Sequence, residues 1–208
     1  MKNELRNVIS GKNKVRYGAT IQSIASFLKR SKGASKVAKN SKLYKQKEAE
    51  DLKKYITENN LWAVGVDITN YISEGAEQKV YLEDGKHVLK LNDAIFYASW
   101  EDYLNNLLLH NYYFEDTAYE LIGFIEEDET LYAVVKQYFV RATEKTNLEA
   151  VKEFLTANGF INTKNNDYRH PELGIILEDL HDENVLSENG VLRFIDTVFF
   201  VTENFYED

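Results

Sequence analysis

The sequence predicts an α+β fold with an antiparallel sheet, for three reasons. Several short segments rich in Val, Ile, Tyr and Phe are bounded by turn residues, which is typical of strands. Tight turns such as Asp84-Gly85 join neighbouring strand segments directly, and only antiparallel strands are joined by so short a turn. The predicted helices follow runs of strands and do not alternate with them, which argues against a parallel α/β sheet.

The distribution of charge divides the chain of 208 residues into two parts. Residues 1–60 contain 15 Lys and Arg against 5 Asp and Glu, whereas residues 61–208 contain 10 against 29. The first part has helical patterns, with a helix expected from about Ser41 to Asn59 and a shorter amphipathic helix at Ile21, Ile24, Ala25 and Leu28. We therefore predict a basic helical extension over residues 1–60 and a folded domain over residues 61–208.

Two hypotheses stay open for the basic extension. It binds nucleic acid, aided by Tyr17 and Tyr44 among its lysines, because phosphates attract clustered Lys and Arg. Alternatively, it docks on the acidic remainder of its own chain or on a partner protein.

Composition excludes several classes of site. Cysteine is absent, so the chain has no disulfide framework, no thiolate nucleophile and no Cys-ligated metal. No apolar run approaches the length of a membrane span, and the first residues lack the apolar stretch of a secretion signal. The sequence therefore predicts a cytoplasmic protein with no membrane partner.

The elements of the domain follow from local patterns. Val64, Val66 and Ile68 alternate with small or polar residues, as in a first strand. Ser99 and Asp102 have the spacing of a helix N-cap and begin an apolar helical stripe. We expect further strands over 79–82, 87–91, 119–124 and 131–140, a helix over 147–157, and short extended segments over 160–162, 168–174, 173–177 and 191–195.

The most informative local feature is the loop that begins at Asp179. Asn184 follows Asp179 by five residues, and Asp196 ends an apolar strand segment twelve residues after Asn184. This order resembles the catalytic loop and the metal-binding aspartate of the protein-kinase-like superfamily, and the Asp-Leu-His form is similar to that of small-molecule phosphotransferases. The resemblance implies that Asp179 positions the acceptor hydroxyl and that Asn184 and Asp196 offer oxygen ligands to Mg²⁺. Turn capping is the alternative for Asp179 and Asn184.

Upstream residues stand in the order that the resemblance implies. Lys90 ends a strand, where kinases place the lysine that pairs with the α- and β-phosphates of ATP. Glu101, in the first turn of the next helix, is the candidate partner of Lys90, and Asp102 is the competing acid. The alternatives are an ordinary strand-end lysine and a helix-start acid stabilised by the helix dipole.

The resemblance also implies a set of nucleotide-binding positions. Ser73 and Gln78 stand where a glycine-rich loop has its flanking glycines, so that only one glycine of the loop is matched. The run Lys136-Gln137-Tyr138-Phe139 is similar to the hinge whose backbone holds an adenine. The residues assigned to nucleotide binding are Gly75, Val80, Lys90, Gln137 and Phe139.

The chain departs from most protein kinases around the proposed site. Leu177 and Glu178 replace the His and Arg that precede the catalytic Asp, and Thr197-Val198 replaces the Phe-Gly after the metal-binding Asp. Only twelve residues follow Asp196, so we expect neither an activation segment nor the large helical subdomain that binds peptide substrates.

More narrowly, residues 61–205 resemble the kinase-like domain of polyvalent proteins from phages and conjugative elements. The resemblance implies a reduced kinase-like fold, with an antiparallel N-lobe sheet, one main helix and a truncated C-lobe. It further implies ATP- and Mg-dependent phosphoryl transfer in a bacterial mobile element. The alternatives are a non-catalytic, pseudokinase-type module that acts through protein contacts, and a nucleic-acid-associated accessory protein that acts through residues 1–60.

Overall fold

The computed structural model describes residues 1–34, 41–75 and 78–207, which form two lobes joined by residues 139–147. Residues 35–40 of the predicted extension, 76–77 of the predicted loop, and 208 lie outside the described residues. The α+β class and the antiparallel sheets are confirmed. Among the described residues, none of the helices combines the length and the apolar character needed to cross a bilayer.

The elements lie in chain order as follows. The helices are α1 (Lys2–Ile9), α2 (Gly18–Ala34), α3 (Ser41–Glu58), α4 (Trp100–Tyr113), α5 (Leu148–Ala157) and α6 (Glu203–Tyr206), with a 3₁₀ turn at Glu115–Thr117. The strands are β1 (Tyr71–Glu74), β2 (Gln78–Leu82), β3 (His87–Asn92), β4 (Glu120–Glu127), β5 (Thr130–Tyr138), β6 (Ile161–Lys164), β7 (Asp167–His170), β8 (Ile175–Glu178), β9 (Val185–Glu188), β10 (Val191–Phe194) and β11 (Val198–Val201).

The first lobe contains a five-stranded antiparallel sheet in the order β1-β2-β3-β5-β4. Strands β2 and β3 form the hairpin predicted at Asp84-Gly85, and their register places Val80 opposite Lys90. The Asp84 carboxylate accepts hydrogen bonds from the main-chain N–H groups of Lys86 and His87, and this Asx-type turn fixes the register. Both Val80 and Lys90 line the cleft below the sheet.

The strand predicted at Val64, Val66 and Ile68 is wrong. Val64 is 95 % exposed and the segment forms no strand, whereas β1 begins later, at Tyr71. Gly65 has a φ of +73°, and the Asp67 carboxylate accepts hydrogen bonds from the main-chain N–H and the hydroxyl of Thr69. These local turns interrupt the extended backbone that the alternation predicts.

Helix α4 lies at the centre of the molecule and is buried on nearly all sides. Ser99 caps it as predicted, because the Ser99 hydroxyl accepts the N–H of Asp102 at 3.0 Å. A second cap comes from α3, where the Glu48 carboxylate accepts the N–H groups of Trp100 at 2.7 Å and Glu101 at 3.3 Å. An anionic group at a helix N-terminus is stabilising because it satisfies free N–H donors and opposes the helix dipole.

The basic extension packs on the rest of the chain through apolar side chains. Helices α2 and α3 contribute to one core with α4 and the sheet, while α1 contributes to this core and to that of the second lobe. The buried apolar residues of the extension are Leu5, Val8, Ile9, Ile21, Ile24, Ala25, Leu28, Leu52 and Ile56. The structure therefore favours the docking hypothesis, and nucleic-acid binding stays a prediction.

The boundary predicted at residue 60 does not separate two hydrophobic cores. The prediction followed the change in charge and the low apolar content of residues 1–60. The few apolar side chains there are placed on one face of each helix and are completed by residues from beyond the boundary, such as Trp100 and Leu104. An amphipathic helix needs a partner face, and here α4 provides it.

The second lobe contains a four-stranded sheet in the order β11-β8-β7-β6 and the separate hairpin β9–β10. Strand β11, which directly follows the segment bearing Asp196, pairs with β8 from Val198–Glu178 to Val201–Ile175. The segment after Asp196 therefore returns to the sheet at once. Aromatic rings dominate this core, and Phe114 stacks on Phe194 with ring centroids 4.1 Å apart.

The shared core predicts that a cavity in the extension destabilises the whole molecule. Ile24→Ala should lower the free energy of unfolding by about 2–5 kcal/mol, because Ile24 is fully buried in the core that contains Trp100. Urea unfolding followed by tryptophan fluorescence measures this, with Ser23→Ala, an exposed position on the same helix, as the control. An unchanged transition at Trp100 in Ile24→Ala would show that the extension is energetically separate.

Candidate functional site

A cleft of about 490 Å³ lies between the two lobes. Its walls come from β1, β2 and β3 on one side and from the 179–186 and 195–198 segments on the other. Eight of the nine residues that the sequence assigns to a site line this cleft: Gly75, Val80, Lys90, Gln137, Phe139, Asp179, Asn184 and Asp196. The topology thus brings together residues up to 121 positions apart in the chain.

Lys90 crosses from the upper sheet to the lower segment. Its side chain is buried, and its Nζ donates to the main-chain oxygen of Ile195 at 2.7 Å and lies 3.9 Å from the Asp196 carboxylate. The ring of Tyr119 lies 5.4 Å from the ammonium group. Burial lowers the pKa of Lys90, and the negative charge of Asp196 opposes this shift.

Asp196 is held by main-chain and side-chain contacts. The main-chain oxygen of Asn184 accepts the N–H groups of Ile195 at 2.9 Å and Asp196 at 3.2 Å, so that the two predicted metal ligands are neighbours. The Gln78 amide donates to the Asp196 carboxylate. Burial raises the pKa of Asp196, while Lys90 lowers it.

The predicted catalytic loop is closed by its own polar groups. Asn184 donates through Nδ2 to the main-chain oxygen of Asp179 at 2.8 Å and to its carboxylate at 2.9 Å. His181 Nε2 lies 3.3 Å from the other carboxylate oxygen of Asp179. Asp179 adopts a φ of +65°, a conformation that Asp and Asn tolerate better than most residues. These contacts direct the amide NH₂ of Asn184 into the loop and leave its Oδ1 for a ligand.

The donor set of the cleft fits a divalent cation such as Mg²⁺. The Asp196 carboxylate and the Asn184 amide are hard oxygen donors on adjacent segments at one end of the cleft. Elsewhere in the described residues, Glu83, Asp84 and His87 also bring ligand atoms within 4.8 Å of one another. That group is exposed, and Asp84 already accepts hydrogen bonds within its turn.

Glu101 is the one predicted site residue that the structure does not bring to the cleft. Its carboxylate lies 3.9 Å from Lys32 Nζ on α2, and the described contacts of Lys90 are to Ile195 and Asp196 instead. The expected Lys90–Glu101 pair is therefore wrong for this structure. The physical reason is that Glu101 lies in the first turn of α4, where it faces the extension, while residues further along α4 contact the segment after Asp196.

The predicted hinge residues Gln137 and Phe139 line the cleft, but both already have hydrogen-bond partners within the protein. The Gln137 side chain donates to the main-chain oxygen of Thr117 at 2.7 Å, so its amide belongs to the fold. The N–H of Phe139 donates to the oxygen of Lys86 at 2.8 Å, so this N–H is already used within the first lobe. Aliphatic side chains line the cleft beside the hinge from above and below: Val80, Val88, Leu186 and Val198.

Sequence reasoning missed a set of buried polar side chains from α4 that hold the segment bearing Asp196. Asn106 Oδ1 accepts the N–H of Phe199 at 2.9 Å. His110 Nδ1 lies 2.7 Å from the hydroxyl of Thr197, and its Nε2 lies 3.0 Å from the main-chain oxygen of Thr117. A carbonyl oxygen only accepts, so Nε2 carries the proton and Nδ1 accepts the Thr197 hydroxyl.

Two further hydroxyls complete this set. Thr117 donates to the main-chain oxygen of Phe194, and Tyr119 donates to that of Ile195 at 2.8 Å. Ile195 thus accepts from both Tyr119 and Lys90. No local sequence signal marks these residues, because their partners among residues 194–199 lie 76 to 93 positions away.

Comparison with known protein families agrees with this geometry. The family model for a serine/threonine/tyrosine kinase found in polyvalent proteins matches residues 45–203. The chain belongs to this kinase family. The match begins within α3, so part of the predicted extension is included in the family domain. The curated proteins and the solved structures contain no significant match to the chain.

The buried imidazole in this kinase-family chain predicts a loss of stability in mild acid. Burial lowers the pKa of His110 from 6.5 to about 3, so the folded state binds fewer protons than the unfolded state between these pH values. Its contribution is complete above pH 6.5 and decreases as the pH falls, by about 1.4 kcal/mol per pH unit. Urea unfolding between pH 7.5 and 5 should show a larger loss of stability in the wild type than in His110→Gln, and the difference between the two is the contribution of His110. Equal slopes would contradict the prediction.

Proposed function

We propose that this chain binds ATP with Mg²⁺ in the cleft and transfers a phosphoryl group to an acceptor hydroxyl. The observation that carries the proposal is the contact of the buried Lys90 with the partly buried Asp196, which meet across two lobes in a cleft with aliphatic walls. A buried lysine beside a carboxylate is costly unless the pair has a use or strong partners. Membership of the kinase family supports the same proposal.

Each predicted residue then has a defined task. Val80 and the main chain around residues 137–140 border the space for a flat adenine, and Gly75 lets the loop approach the phosphates because it carries no side chain. Lys90 would pair with phosphate oxygens. Asn184 and Asp196 would hold Mg²⁺, which neutralises phosphate charge when bound.

Asp179 is proposed to orient the acceptor hydroxyl and to accept its proton. Its carboxylate faces the cleft beside His181 and is half-exposed, so an acceptor can reach it from solvent. A reduced second lobe is part of the proposal, which is supported by the described segment after Asp196, since it passes directly into β11. We infer that the acceptor is bound by few residues of the second lobe and that the chain acts within the polyvalent proteins of bacterial mobile elements, in the cytoplasm.

Nucleotide binding is tested by thermal unfolding with ATP and Mg²⁺. At an ATP concentration of about 100 times Kd, binding adds about 2.7 kcal/mol to the stability of the wild type. Asp196→Asn and Lys90→Met should lose most of this increase, because each removes a charge that holds the phosphates or the cation. Asp182→Asn is the matched control, since Asp182 is an exposed carboxylate in the same loop that does not line the cleft. No stabilisation of the wild type at millimolar ATP would contradict the proposal.

A second candidate is a non-catalytic module that binds nucleotide and acts through protein contacts. It is favoured by Glu101, which lies against Lys32 and leaves Lys90 without a glutamate partner among its described contacts. In active kinases this ion pair must be in place.

Asp179→Asn separates the two candidates. If the chain is a phosphotransferase, this variant should keep the thermal stabilisation by ATP and Mg²⁺ and lose at least about 100-fold of the transfer rate, because it removes only the base. Transfer is measured as phosphate incorporated into the protein or released to water. A wild type that binds ATP and transfers no faster than Asp179→Asn would establish the non-catalytic candidate.

A further inference from the structure

Gln78 lies at the start of β2 and reaches across the cleft to the second lobe. Its amide Nε2 donates to the Asp196 carboxylate, and its side chain lines the cleft together with Lys90 and Asn184. The residue is 118 positions away from Asp196 in the chain. Gln78 thus links the start of β2 directly to the lower wall of the cleft.

The main chain also connects the end of β1 to Gln78. The N–H of Gly75 donates to the main-chain oxygen of Gln78 at 2.9 Å. In the sheet Gln78 pairs with Asn92 on β3. Through its amide, Gln78 holds the start of β2 close to the end of the cleft that contains Asn184 and Asp196.

The carboxylate of Asp196 explains why such a link is stabilising. The Asp196 side chain is partly buried, and a carboxylate that has lost part of its hydration is stabilised by hydrogen-bond donors or positive charge. The Nζ of Lys90 lies 3.9 Å from this carboxylate and donates a hydrogen bond to the main-chain oxygen of Ile195 at 2.7 Å. The amide of Gln78 supplies the direct donor that Lys90 does not supply.

We propose that Gln78 is a specificity-determining residue. It lowers the affinity of the cleft for ligands that bind Asp196 and does not change the affinity for other ligands. This inference rests on the proposed function. A cation held by Asp196 and Asn184 would compete with the amide of Gln78 for the same carboxylate, so the hydrogen bond from Gln78 would be weakened or broken when cation and phosphates bind. A nucleoside without phosphates needs only the hinge end of the cleft and does not disturb the link. Gln78 therefore lowers the affinity for phosphorylated, cation-loaded nucleotide selectively.

The test compares two probes on matched variants. The probes are the non-hydrolysable ATP analogue AMP-PNP with Mg²⁺, and adenosine, each measured by titration calorimetry. Gln78→Ala should bind Mg·AMP-PNP about 10-fold more tightly than the wild type, because a hydrogen bond to a charged acceptor no longer has to be broken. Adenosine affinity should change less than about 2-fold. Gln78→Leu keeps the bulk without the amide and should behave like Gln78→Ala. Asp182→Asn, in the same loop as Asn184 but outside the cleft lining, should show neither change.

A double variant shows whether the effect passes through Asp196. In the Asp196→Asn background, Gln78→Ala should no longer tighten the binding of Mg·AMP-PNP, because the carboxylate that the amide holds is gone. Equal Mg·AMP-PNP affinity in the wild type and both Gln78 variants would overturn the inference and leave the proposed function standing. Weaker binding in both variants would overturn it too, since Gln78 would then hold the ligand. Binding by none of the proteins would overturn the inference and the proposed function together.

Discussion

The position of Asp196 depends on buried hydrogen bonds between the first lobe and residues 194–199. Lys90 and Tyr119 donate to Ile195, while Asn106 and His110 on α4 contact Phe199 and Thr197. In a low-dielectric interior these bonds are strong, and removing one partner leaves the other unsatisfied at a cost of about 1–3 kcal/mol. The geometry of the candidate site therefore depends on α4, and the position of α4 depends on the elements packed around it.

The packing of the extension on α4 is governed by apolar contact and by main-chain polar groups more than by net charge. Opposite charges of the two parts suggest many ion pairs, yet Lys45 donates to three main-chain oxygens of residues 94, 95 and 97. Glu48, an acid of the basic segment, caps α4. The pair Lys53–Glu126 is one direct charge contact across the two parts, and partly exposed pairs of this kind contribute little. Helix α3 thus fixes the N-terminus of α4 by forming hydrogen bonds with main-chain groups at and just before it.

Local sequence patterns were sufficient for elements whose cause is local. The hairpin at Asp84-Gly85 and the cap at Ser99 follow from turn and capping chemistry, and the spacing of Asp179, Asn184 and Asp196 led to the family. Long-range effects were not predictable in the same way. The carboxylate of Glu101 satisfies the sequence pattern of a lysine partner, but the direction it faces depends on how α4 is rotated against α2. The polar contacts of His110 and Tyr119 are likewise set by packing, since neither residue belongs to a motif.

Helix α1 has a mechanical consequence for the two lobes. Val8 packs in the core of the first lobe, and Leu5 and Ile9 pack in that of the second, while Arg6 donates to the main-chain oxygen of Phe205 at 2.7 Å. Helix α1 therefore connects the two lobes at a place outside the cleft lining. If the lobes rotated apart about residues 139–147, these side chains would lose their packing in one of the two cores. The width of the cleft is therefore coupled to the stability of both hydrophobic cores, although α1 does not itself line the cleft.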